Sequence, residues 1–64
     1  MADFHIQNEG SVFLFVPLND TARVWVDESL APESWQMFGD AVAIEHRYIG
    51  PIVDGAIADG FVVE

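Results

Sequence analysis

The chain has 64 residues, eleven carboxylates against two arginines, no lysine and no cysteine, for a formal net charge of −9. That length allows one domain with a small core, and the missing cysteines exclude disulfide staples and thiolate metal clips. The shortage of cations argues against direct binding of nucleic acid or of an anionic membrane, and favours a basic partner or no charged partner at all.

Packing must hold such a chain together. Its 52% hydrophobic content, with five Phe, two Trp and one Tyr, is enough to keep it ordered despite the charge. "MADFHIQNEG" has neither a basic region nor a long apolar run, so it does not read as a signal peptide. The longest apolar run, "VFLFVPL", has seven residues, against the roughly 20 that a bilayer span needs. A cytoplasmic protein is expected.

In chain order, "FHIQ" reads as a short strand and "NEGS" as a hairpin turn, because Asn and Gly tolerate the left-handed backbone that tight turns require. "SVFLFV" is apolar on both faces, as a central strand would be, and Pro17 ends it because proline cannot donate to the ladder. "LNDTARVWVDESL" reads as a helix. Asn19 is its expected N-cap, and Asp20 sits favourably in its first turn. Leu18, Ala22, Trp25, Val26 and Leu30 form its apolar stripe, and Arg23 and Asp27 are spaced for an i,i+4 pair. Pro32 marks its stop.

"WQMF", "GD" and "AVAIEHRY" read as a second hairpin with Gly39 and Asp40 at the turn. Alternation sets Val42, Ile44 and His46 on one face and Ala41, Ala43 and Glu45 on the other. "YIGPIVDGAIADG" is the second helix, with Pro51 in its first turn and Gly60 at its end. Its expected buried stripe is Ile49, Ile52, Val53, Ala56 and Ile57, leaving Asp54, Ala58 and Asp59 to solvent. Gly55 inside it costs roughly 1 kcal/mol against alanine. "FVV" closes the chain as a last short strand. The expected fold is α+β, in the order β-β-α-β-β-α-β, with two helices on one face of a mostly antiparallel sheet. Large apolar groups then remain on the other face, which calls for a partner, a second copy or cover from loop aromatics such as Trp35.

No constellation for catalysis stands out. Ser11, Thr21, Ser29 and Ser34 sit in no nucleophile motif. In "EHR", strand alternation would turn Glu45 and His46 to opposite faces. The glycines form no phosphate loop. His5, His46 and the carboxylates have no metal-ligand spacing, so neither a metal nor another cofactor is expected. Trp25 reads as core. Trp35, Phe38 and Phe4, near loops or strand ends, also read as core before they read as binding anchors.

The acidic surface is the remaining feature. A protein that imitates DNA needs dense negative charge, few cations to neutralise it, and ordered elements to hold the spacing, since duplex DNA carries one charge per roughly 1.7 Å of axis. The candidates are Asp20, Asp27, Glu28 and Glu33 on the first helix and its exit, and Asp54 and Asp59 on the second helix. Asp27 and Glu28 fall in the C-terminal half of their helix, where the macrodipole disfavours negative charge, so they do nothing for the helix itself. Solubility alone also explains an acidic surface.

"HIQNEGSVFLFVPLND", "RVWVDE" and "EHRYI" together resemble small proteins carried by bacterial phages and other mobile elements. The chain's size and charge resemble those of type I anti-CRISPR proteins that occupy the DNA-entry or PAM-reading surface of the Cascade complex. That resemblance implies a non-enzymatic DNA mimic in the cytoplasm of a bacterial host, with a basic patch on a Cas subunit as partner. It implies no binding residue, so the six carboxylates rest on charge alone. Two other readings follow from the residues. One is a regulatory or structural homodimer that buries a second sheet face around Phe13 and Phe15. The other is an antitoxin-like partner of a basic toxin.

Overall fold

The computed structural model describes all 64 residues. β1 (Phe4–Asn8) and β2 (Val12–Pro17) form an antiparallel hairpin. Its turn is closed by the Asn8 side chain, which accepts from the Gly10 N–H at 2.8 Å, and by the Glu9 N–H, which donates to the Val12 carbonyl at 2.9 Å. Gly10 takes φ of 89° there, a conformation that disfavours any residue with a Cβ. β2 also pairs antiparallel with β4 (Ala41–Glu45), and β4 with the two-residue β3 (Met37–Phe38), giving the order β1-β2-β4-β3. This is the expected α+β class, with both helices on one face of an antiparallel sheet.

Asn19 caps α1 (Asp20–Trp25) as expected. Its backbone is extended and its side-chain oxygen accepts from the Ala22 N–H at 2.8 Å. The helix then widens into a π-turn, Val26–Leu30, and stops at Ala31, whose φ of 44° and ψ of 56° are left-handed. The stop has a steric cause. Pro32 disfavours the right-handed helical region for the residue before it, and Ala31 escapes to the left-handed side, a region that costs an L-residue about 1–2 kcal/mol. Of the expected stripe, Ala22 and Val26 are buried and Trp25 and Leu30 pack against them, but Leu18 is exposed. The expected Arg23–Asp27 pair does not form. Arg23 bridges Asp20 at 2.6 Å and Asp40 at 3.0 Å instead, because the β3–β4 turn brings Asp40 beside it.

Three other boundaries differ from expectation. The first half of "WQMF" is a 3-10 turn, Ser34–Gln36, closed by the Gln36 side chain accepting from the Glu33 N–H at 2.9 Å. Only Met37 and Phe38 remain to make a strand. β4 ends at Glu45, and His46 opens α2 (His46–Ala58). His46 is therefore an exposed helix residue, with its ring 4.5 Å from that of Phe13. Pro51 falls beyond the first turn, and since proline has no N–H, the Arg47 carbonyl lacks its usual i+4 donor. Ile57, expected in the buried stripe, is exposed. Finally, "FVV" makes a single parallel bridge, Val63 with Phe4, rather than a strand.

The core is Phe4, Phe15, Ala22, Val26, Val42, Ile44 and Ala56. Phe4 and Phe15 stack at 4.3 Å, and Trp25 and Phe61 meet Phe4 edge-on at 5.7 and 5.4 Å. Cross-strand partners share a face, so the register Phe15↔Val42 and Phe13↔Ile44 puts both phenylalanines on the helix side. The uncovered face carries Val12, Leu14 and Val16 instead, with Phe38 62% exposed beside them. A second sheet face centred on Phe13 and Phe15 is thereby overturned.

Asp3 joins the ends of the chain. Its carboxylate accepts from the Asn19 side-chain N–H at 2.9 Å and from the Val62 N–H at 2.8 Å, while its carbonyl accepts from the Leu18 N–H at 2.8 Å. The Val62 bond, and then the Asn19 bond, hold the Asp3 carboxyl below its ordinary pKa.

Candidate functional site

All six candidate carboxylates are exposed, but they are not equivalent. Asp20 is taken up by Arg23. Glu33 caps the 3-10 turn. Asp59, at the C-terminal end of α2, accepts from the Trp25 indole N–H at 2.6 Å. Asp27 and Glu28 on the π-turn and Asp54 on α2 engage no ion pair and no side-chain hydrogen bond. The two helical segments thus hold three exposed carboxylates outside any ion pair, Asp27 among them lining a shallow pocket with Arg23, Met37 and Asp40.

Counter-charge on the surface is scarce and already used. Arg23 spans Asp20 and Asp40, and Arg47 meets Glu45 at 3.2 Å while its guanidinium lies 5.0 Å from the centre of the Tyr48 ring. Asp20, Asp40 and Glu45 take up both guanidinium groups, and the other eight of the eleven carboxylates stand outside any ion pair. Exposed ion pairs of this kind add little stability. Their consequence is electrostatic: no free cation interrupts the negative field of the helix layer.

A second feature was not legible in the sequence. An apolar groove of about 270 Å³ runs between the exit of the π-turn, the edge of β4 and the first turns of α2. Leu30, Pro32, Trp35, Ile44, Tyr48 and Ile52 line it. Trp35 is 77% exposed and Tyr48 52% exposed. Of Trp25, Trp35, Phe38 and Phe4, all expected in the core, Phe4 is there and Trp25 packs against it, while Trp35 and Phe38 are on the surface. No sequence signal marks the groove, since "WQMF" reads as a four-residue strand; it opens because "SWQ" forms a turn and β4 outruns the two-residue β3.

No three or more His, Asp and Glu side chains lie close enough together to hold a metal ion, and no helix is long and apolar enough to cross a membrane. No described protein family, characterised protein or solved structure shows significant similarity to this chain.

Proposed function

We propose that the protein is a non-enzymatic cytoplasmic inhibitor that occupies the basic DNA-binding surface of another protein in place of DNA. The observation that supports this best is the asymmetry of charge on the helix layer: Asp27, Glu28 and Asp54 are exposed and unpartnered, while both arginines are neutralised within the chain. Such a surface attracts Lys and Arg side chains that otherwise meet phosphates, and it accelerates encounter with them. The resemblance to type I anti-CRISPR proteins makes a Cas subunit of Cascade the partner to test first.

The test is displacement. Purified type I Cascade is titrated with target duplex in the presence of the protein or of its D27N/E28Q/D54N variant. The wild-type chain should compete with the duplex, more weakly as salt rises, and the variant should not. Competition undiminished by the three substitutions would rule out this surface, and absence of competition would rule out this partner.

The uncovered sheet face favours a second reading, a homodimer through Val12, Leu14, Val16 and Phe38. Its area counts against it. β1, β2 and β4 are five to six residues long and β3 only two, so at about 3.4 Å per residue and about 4.8 Å between strands the flat face is at most roughly 320 Å², against about 800 Å² per partner in a standard stable interface. Sedimentation of the free chain separates the two readings.

A further inference from the structure

The free edge of β4 coincides with the apolar groove. β3 pairs only with Ala41 and Val42, so Ala43, Ile44 and Glu45 have no neighbouring strand on that side. In an antiparallel strand alternate residues aim their N–H and C=O groups to opposite sides. Part of this stretch therefore turns its backbone hydrogen-bonding groups away from β2 and toward the groove, whose lining includes all three residues. Natural edge strands are commonly blunted by lysine, proline or a covering loop; this stretch, "AIE", contains neither lysine nor proline, and the 3-10 turn Ser34–Gln36 that packs against β4 leaves the groove open beside it.

We propose that this edge and groove receive an extended, basic segment of the partner protein by strand addition, with one bulky apolar side chain seated between Trp35, Ile44 and Tyr48. The inference rests on the basic partner proposed above and names how one segment of it is held. Backbone pairing along Ala43–Glu45 supplies the register, and the groove selects the side chain. The volume, about 270 Å³, lies just below the range of small-molecule pockets, about 300–1,000 Å³, and suits a single anchor residue. Charge selects the occupant's sign. Glu45 lines the groove, exposed Glu33 follows its Pro32 in the chain, and the whole chain carries −9. A second copy brings the same negative charge to the same place and is disfavoured; a segment rich in Lys or Arg is attracted.

The probe is a blocked seven-residue peptide with a central Phe, a Val on each side of it and two Arg at each end. It is titrated into isotope-labelled protein and followed by amide shifts and by the Trp35 indole signal. Saturable shifts centred on Ala43, Ile44, Glu45 and Trp35 are expected. Backbone N-methylation of the peptide, or Ser in place of its Phe, should abolish them, as should Glu in place of its Arg. Trp35→Ser should weaken binding about tenfold or more, the loss typical of an aromatic anchor. Trp35 is too exposed to disturb the fold, and an otherwise unchanged spectrum verifies that. Shifts spread over Asp27, Glu28 and Asp54 and indifferent to the Phe or to N-methylation would overturn the proposal, leaving charge attraction alone. So would a concentration-dependent dimer that shifts the same amides without peptide, or no saturable shift at millimolar peptide. The D27N/E28Q/D54N variant should still bind the peptide, so loss of duplex competition and loss of peptide binding are read separately.

Discussion

The Trp25 indole N–H donates to the Asp59 carboxylate across 2.6 Å and fastens the end of α2 to α1. The same ring lies 3.9 Å from the point where a Cβ on Gly55 would stand, one turn before Asp59. Asp59 is thus bound into the fold although its carboxylate is exposed. Asp59→Ala should lower unfolding free energy by about 0.5–1.5 kcal/mol, the net worth of one such hydrogen bond, and Trp25→Phe should cost more because packing on Phe4 and Phe61 changes with it. A double-mutant cycle in urea isolates the shared part. A coupling energy near zero would show the bond to be idle.

Asp27 and Glu28 make the opposite case. They lie on the π-turn that ends the first helix, where the macrodipole opposes negative charge by about 0.3–1 kcal/mol per group. D27N/E28Q should therefore raise the denaturation midpoint slightly while it diminishes competition with duplex DNA. Stability and inhibition moving in opposite directions is the signature of carboxylates kept for a partner. A fall in both would mark them as structural.

The parts of this molecule that were legible in its sequence are those set by local chemistry. Asn19 was readable as a cap because a short polar side chain before an apolar-periodic stretch satisfies a free N–H. Gly10 and Gly39 were readable as turns because their left-handed φ suits them. What the sequence hid was decided by tertiary partners. Arg23 chose Asp40 over Asp27 because a hairpin turn seventeen residues away lands beside it. His46 reads equally well as the end of a strand or the start of a helix, and only the demand that Ile49, Ile52, Val53 and Ala56 meet the core decides between them. The six acidic candidates were visible as a set, but sequence could not distinguish Asp54, which is free, from Asp59, which Trp25 holds. Nor could it expose Trp35 and Phe38, since composition treats every aromatic in a small domain as core.

Gly55 in α2 offers a gain in stability. A Cβ there would rest in ordinary van der Waals contact with Trp25, and the residue has no left-handed backbone. Gly55→Ala should add up to about 1 kcal/mol by restricting the unfolded chain and favouring helix. Gly50→Ala should gain less, because Pro51 follows it and disfavours the helical region for a residue with a Cβ. Chemical denaturation reads both effects directly. A loss at Gly55 would mean that this glycine exists for close packing against Trp25.

Asp3 ties part of the fold's stability to pH. Its carboxylate accepts from the Val62 N–H and the Asn19 side chain, and both bonds favour the ionised form, holding its pKa below the ordinary value. A carboxyl whose pKa is lower folded than unfolded stabilises the fold fully above its unfolded pKa, and that contribution drains away as pH falls through the folded one. The loss therefore begins below about pH 4, the ordinary range for aspartate. Asp3→Asn keeps the size and one acceptor oxygen but removes the titration. Thermal midpoints between pH 7 and pH 2 should fall more steeply in the wild-type chain than in D3N, with the variant less stable at neutral pH and the gap narrowing in acid. A gap that stays constant across that range would mean that Asp3 binds Val62 and Asn19 equally well with its proton on, and the acid sensitivity of the fold would have to arise from other carboxylates.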